Sequence, residues 1–347
     1  MIKSLTSLRG IFILFIFFHH CMNLYPGGGT MAVTFFFVLG GFSMTLGYKD
    51  RVLKPDFSFR EYITKRCVKF YPLHWLTLLA AVPFVLLSFS WKQIPVLFFN
   101  ASLLQTWIPI KSFYFSFNWV SWYLANTMFF AVLFPLLFKW IVRATPKGKA
   151  AIAASFALVY TLVAVSIPLE WRHAILYISP YMRLTDFVFG IFLALGYLKL
   201  KEYEVDRKRG VVYQIAIIAA IILLVVESCL VSESTSFIAP IYWPLVAFVI
   251  VLASLTGTAG GGYLLLENKW LQRLGELSFT IFLTHQLVLR YTTVVFEKIL
   301  HFENNIVYVI FTLSITILVS SVVEKYILKP ITKWLTKRIQ PSMTVRS

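Results

Sequence analysis

The sequence predicts an all-α membrane protein of about ten transmembrane helices with both termini in the cytoplasm, and three observations carry that prediction. The 347 residues are 59% hydrophobic and 14% charged, with a mean hydropathy of +0.77, whereas a soluble domain is about 25% charged and about 45 to 50% apolar. Apolar blocks long enough to cross about 30 Å of hydrocarbon recur along the whole chain. Basic residues alternate between connections in the way that fixes orientation.

The apolar blocks fall at 8–24, 31–48, 72–90, 119–142, 149–168, 183–200, 210–231, 238–257, 275–296 and 304–328. The first is expected to be retained rather than cleaved as a signal peptide, because no small-residue cleavage site follows it and Arg9 and two histidines stand in its pattern. With the N-terminus in the cytoplasm, 26 of the 32 Lys and Arg fall at cytoplasmic ends and loops; the others are Lys92, Lys111, Arg172, Arg183, Arg290 and Lys298. That bias fits the positive-inside rule and supports an even number of spans with both termini inside.

A single membrane-embedded domain over 1–347 is expected, with a basic cytoplasmic loop over 49–71 and a short basic cytoplasmic tail over 329–347. Within the loop, FREYITKRCVKF is expected to form a short amphipathic helix at the interface. Pro72 is expected to open the third span, where a missing backbone donor matters little. The connection over 91–118 is the longest external one and carries Trp91, Trp107 and Trp119 at belt positions. No internal repeat of the kind common in transporters is visible.

The formal charge is +17. In a soluble protein that would suggest nucleic acid; here the placement assigns it to topology and to anionic headgroups, so membrane lipids are expected partners and nucleic acid is not. Cys21, Cys67 and Cys229 sit at different levels of the predicted bundle, and the six histidines are scattered. Neither group has metal-ligand spacing or forms a disulfide framework, so no metal and no disulfide are expected. A Ser-centred elbow and a phosphate-binding glycine loop with its lysine are also missing, which leaves a serine acyl-enzyme and ATP use without a motif.

The opening run SLRGIFILFIFFHHC places ionisable groups in an apolar segment, where they usually face a bundle interior and carry function. Eleven residues of ideal helix turn through three turns plus roughly 20 degrees and rise about 16 Å, so Arg9 and His20 share a face. That rise is about the reach of an extended pantetheine arm. His19 points about 100 degrees away from His20 and reads as a packing residue.

These residues, in this order, resemble the acyltransferase 3 family of integral membrane enzymes. LRG at Leu8, Arg9 and Gly10, followed by His20, is similar to the family's opening element, and FFVLGGF over 36–42 resembles its second, with Gly40 where serine is common. ITKRCVKFYPLHWL supplies the family's basic pair and Tyr-Pro as Arg66, Lys69, Tyr71 and Pro72. Lys69 stands where arginine is frequent, and so lacks the fork that grips phosphate. WYLANTMFFAVLFP, led by Trp122, has Thr127 where the family often has glutamate. YMRLTDFVFG matches a charged element through Arg183 and Asp186; LGELSFTIFLTHQLVL carries His285; VSSVVEKYILKP matches the closing element from Glu324 to Pro330.

The resemblance implies transfer of an acyl group, most often acetyl, from acyl-CoA to a sugar hydroxyl of a surface or exported glycan or glycolipid, in the bacterial inner membrane. His20 is then the general base that accepts the hydroxyl proton. Asp186 is either its charge partner or simply the partner of Arg183. Arg9, Arg66 and Lys69 are the candidates for the donor's phosphates, with Tyr71 and Gly41 in the same donor set, although Gly40 and Gly41 equally suit close helix packing. Trp122, Arg183 and His285 are candidates for the acceptor. Cys21 beside His20 keeps a covalent route open. The alternatives are a transporter of acyl groups or small polar metabolites and a noncatalytic glycan-binding protein; the oligomeric state is open.

Overall fold

The structure, a computed structural model, describes residues 2–24, 27–86, 90–200, 207–231, 237–256, 266, 268–301 and 304–339. The end of the expected tail, 340–347, lies outside them. Among the described residues all regular structure is helical: α1 (Lys3–His20), α2 (Gly28–Val52), α3 (Phe59–Leu86), α4 (Gln93–Ala101), α5 (Lys111–Tyr114), α6 (Ser121–Arg143), α7 (Pro146–Ser166), α8 (Leu169–Arg172), α9 (Pro180–Leu200), α10 (Arg207–Leu230), α11 (Trp243–Thr256), α12 (Lys269–Val294), α13 (Asn305–Val322) and α14 (Lys329–Ile339). Single π-turns lie at His173–Ile178, Val295–Leu300 and Val323–Leu328.

Among the described residues, nine helical segments are long and apolar enough to cross a membrane, which makes this a multi-pass membrane protein. The segment expected as the first span, α1, is not one of the nine, because Lys3, Ser4, Thr6, Ser7, Arg9 and the two histidines dilute it. Its hydroxyls are buried in protein: Ser4 Oγ donates to Ala253 O and Ser7 Oγ to Leu266 O. The expected break at Pro72 does not occur either. α3 runs unbroken from Phe59 through Pro72 and Pro83 to Leu86, so the predicted amphipathic segment and the third span are one helix and the preceding connection shrinks to 53–58. Proline is tolerated inside a membrane helix where neighbours satisfy the freed backbone groups.

The chain forms two compact units, one of Met1–Phe57 with Val132–Glu276 and one of Ser58–Ala131 with Leu277–Ser347. In the first, α1 and α2 are antiparallel, with Phe12 stacked on Phe35 at 3.7 Å and His19 against Gly29. α2 and α9 are parallel: Thr34, Gly41 and Phe42 meet Arg183, Phe187 and Tyr197 in the same order. Their backbones touch at paired glycines, where a Cβ on Gly41 would lie 2.0 Å from Phe187 O and one on Gly190 2.0 Å from Val38 O. Small residues allow this approach, and dispersion between backbones then holds the helices together in lipid. A second crossing sets Gly10 and Gly275 against the backbones of α12 and α1.

These contacts give the first unit two distinct ends. The starts of α2, α9 and α11 and the end of α1 lie together, with Gly27 beside Ser228 near the end of α10. The opposite end gathers basic residues: Lys49 and Arg51 close α2, Lys199 closes α9, and Lys139 lies 5.2 Å over the Phe57 ring.

In the second unit α3 and α12 are parallel, with Phe70 5.7 Å from Phe279 and Tyr291 Oη donating to Ala80 O at 2.8 Å. α12 and α13 are antiparallel and joined by hydroxyl pairs, Thr284 to Ser320 at 2.8 Å, Thr292 to Thr312 at 3.3 Å and Thr293 to Tyr308 at 2.8 Å, and Thr280 Oγ1 donates to Glu324 Oε2 of the following π-turn at 2.9 Å. Such bonds join helices where lipid offers no hydrophobic drive between them. α14 packs along α3.

Candidate active site

A buried polar centre of the first unit is built on the opening turns of α9. Arg183 and Asp186 are three residues apart, both fully buried, and Arg183 Nη2 lies 3.0 Å from Asp186 Oδ2. That contact is an ion pair without hydrogen-bond alignment. Trp243, at the start of α11, donates Nε1–H to Asp186 Oδ1 at 2.7 Å, and Arg183 Nη2 donates to Thr34 Oγ1 of α2 at 3.2 Å. The guanidinium sits over the Phe37 ring at 5.0 Å and over the Tyr177 ring at 5.7 Å. Burial pushes the Tyr177 phenol up to about 12 against the opposing pull of the Arg183 charge, so it stays neutral. Nε and Nη1 of Arg183 have no hydrogen-bond partner among the described residues.

A buried pair of this kind contributes little net stability, because desolvation offsets the attraction. Its worth lies in a cation fixed in apolar surroundings with donors to offer. The two oxygens of Asp186 meet Trp243 and Arg183. It holds the guanidinium, and the structure draws no hydrogen bond from it to His20.

His20 ends α1 and is exposed there, while Cys21 beside it is fully buried. Its Nδ1 lies 2.9 Å from Ile16 O. A carbonyl can only accept, so Nδ1 carries the proton and Nε2 presents a lone pair. His19 packs at Gly29, with its ring 4.9 Å from that of His20. Because α1 is antiparallel to α2 and α2 parallel to α9, His20 and Arg183 stand at the same end of the unit. Arg9 is on the same unbroken helix as His20, about 16 Å along it toward the basic end. Gly41 lies against α9, and that backbone approach accounts for it without a ligand.

The remaining predicted residues belong to the second unit. Arg66 is buried with its guanidinium 5.2 Å over the Tyr62 ring, and Tyr62 Oη in turn donates to Ala131 O at 2.7 Å. Lys69 lies 5.5 Å over Phe70. Tyr71 Oη donates to Ser102 O at 3.2 Å, and Trp122 is buried at the start of α6. His285 is fully buried, with Nδ1 2.8 Å from Phe282 O and 3.1 Å from Ile281 O, so Nδ1 carries a proton. Among the described residues no group of three or more His, Cys, Asp or Glu could hold a metal.

The sequence profile of the acyltransferase domain matches residues 2–325. The chain belongs to the acyltransferase 3 family. It resembles Acyltransferase MdmB from Streptomyces mycarofaciens, with 29% identity over 289 residues that make up 76% of this chain and 69% of that protein. No solved structure matches the chain. Membership of the acyltransferase 3 family makes it an enzyme that moves acyl groups, which requires an acyl donor and an acceptor. The matched residues reach into both units and include every predicted site residue, and they stop short of α14.

Reading the sequence missed three members of the buried centre, namely Thr34, Tyr177 and Trp243. Thr34 lies one turn before Phe37 and Val38 on the helix that carries the glycine pair, and its spacing gives it away once α2 is known to face α9. Trp243 had no signal, since a tryptophan at the start of a span is expected at an interface in any case.

Proposed function

We propose that this acyltransferase transfers an acyl group, acetyl in the first instance, from acyl-CoA to a hydroxyl of a surface or exported glycan or lipid-linked sugar, with His20 as general base. The observation that carries the reading is the 2.9 Å contact between His20 Nδ1 and Ile16 O, which leaves Nε2 free of the ring proton at the accessible end of α1. The acceptor hydroxyl gives its proton to Nε2 as its oxygen attacks the thioester carbonyl. The tetrahedral intermediate collapses to the ester, and the thiolate of CoA leaves and takes up that proton from the imidazolium.

Arg183 is the donor set for the developing oxyanion or for the acceptor, because Nε and Nη1 are fixed in direction by Asp186 and Thr34 and remain unused among the described residues. Asp186 is a positioning residue that acts through Arg183. Arg66 and Lys69 take the donor's phosphates, as their charge and the family resemblance suggest. The basic end of the first unit supports a cytoplasmic N-terminus, with the His20 end toward the far face of a plasma membrane.

Mass spectrometry of surface glycans tests the reading in cells carrying the wild-type chain, the His20→Ala chain or neither. Loss of one defined acyl mass from both deficient strains, at equal membrane abundance of the two proteins, is the expected result. An unchanged acyl pattern rejects the glycan acceptor.

A further inference from the structure

The last helix of the second unit takes no part in the acyl-transfer chemistry above and lies outside the residues matched by the acyltransferase profile. The run from Asn305 to Val323 carries no charged residue, and at 1.5 Å per residue it covers about 30 Å, the thickness of the hydrocarbon. Glu324 and Lys325 follow in the π-turn, and α14 starts at Lys329. α14 therefore begins at the membrane boundary. Because α13 is antiparallel to α12 and α12 parallel to α3, this boundary is on the side at which α3 starts.

Charge and apolarity are sorted around α14. At 100 degrees per residue, Lys329, Lys333 and Lys337 fall within about 80 degrees of one another, while Trp334, Ile331, Leu335 and Ile339 occupy about 140 degrees of the other side. Arg338 interrupts the apolar side, and its guanidinium lies over the Trp334 ring at 4.8 Å. From Lys325 to the end of the sequence there is no Asp or Glu. Among the described residues none of the four cations of α14 makes an ion pair. α14 packs along α3, yet only Thr332 and Leu335 are half-buried and the rest are exposed. Trp334 is 53% exposed, Ile339 47% and Ile331 38%, so the apolar side is as open as the basic one.

We infer that α14 is a binding site for anionic lipid: its apolar side enters the headgroup boundary of the adjoining leaflet, and Lys329, Lys333 and Lys337 meet the negative headgroups. An apolar face beside a basic one is the pattern of a helix that lies in that boundary, and each Lys or Arg held there adds attraction to a negative surface. Continuity with α13 keeps α14 within reach of headgroups, whereas an acidic protein partner would have to be recruited. The π-turn over Val323–Leu328 is a place where a helix axis is able to turn onto the surface.

Fluorescence of the full chain reconstituted in phosphatidylcholine vesicles tests it, read as the difference between wild type and Trp334→Phe, which isolates Trp334 among the ten tryptophans. The probes are phosphatidylglycerol and phosphatidylcholine brominated on their acyl chains. Brominated phosphatidylglycerol is expected to quench Trp334 at a much lower mole fraction than brominated phosphatidylcholine. The triple variant Lys329→Gln, Lys333→Gln, Lys337→Gln is expected to lower that preference about tenfold. All three positions are exposed and glutamine is a good helix former, so the variant keeps the fold. Quenching of Trp334 by neither lipid, equal quenching by both, or a preference unchanged in the triple variant overturns the site. Acyl-CoA turnover does not enter the measurement, so its failure and that of the acyl-transfer reading are separate.

Discussion

Arg183 Nη2 lies 3.0 Å from Asp186 Oδ2 within one turn of α9, and neither side chain is exposed. Removing one partner leaves the other as an uncompensated buried charge, which costs about 3 to 5 kcal/mol. Asp186→Ala is therefore expected to lower the thermal midpoint of the detergent-purified chain markedly. Asp186→Asn keeps an oxygen for Trp243 Nε1 and is expected to lose less. The double variant Arg183→Met with Asp186→Leu is expected to recover part of the stability while remaining inactive. A double variant less stable than Asp186→Ala contradicts the pairing.

Two adjacent glycines of α2 are expected to respond in opposite ways to the same change. A Cβ on Gly41 would lie 2.0 Å from Phe187 O, a backbone atom that cannot swing aside, whereas one on Gly40 meets nothing closer than Phe187 Cδ2 at 3.8 Å. Gly41→Ala and Gly190→Ala are expected to push α2 and α9 apart and lose about 1 to 3 kcal/mol or more. Gly40→Ala is expected to behave as wild type. Membrane abundance and thermal stability of the three variants decide the point.

Arg66 and Lys69 serve the donor rather than the acceptor in this account. Arg66→Lys keeps the charge and removes the planar fork, so KM for acyl-CoA is expected to rise about tenfold with KM for the acceptor unchanged. Steady-state kinetics with each substrate varied in turn reads the split. An equal rise for both substrates would mean that Arg66 supports the fold through Tyr62.

Much of the fold was legible because a membrane imposes length and apolarity on each span. The first helix was legible through Arg9 and His20, whose register needs only an unbroken helix, and α1 is unbroken from Lys3 to His20. What the sequence could not give was the partner of each polar residue. Asp186 was as consistent with His20 as with Arg183 until α9 and α11 brought Trp243 to its other oxygen. Pro72 misled because proline opens helices in water, yet here the same helix continues through it.

The central claim is that Nε2 of His20 takes the acceptor's proton. Its most direct test is the acceptor-dependent loss of acyl-CoA thioester by purified wild-type, His20→Ala and His20→Gln chains, measured at saturating donor and at equal protein. The account predicts that both variants bind acyl-CoA as wild type does and turn it over about 10²- to 10⁴-fold more slowly. Turnover at the wild-type rate by a folded His20→Ala chain would contradict it and move the base to another acceptor, with His285 the next to examine.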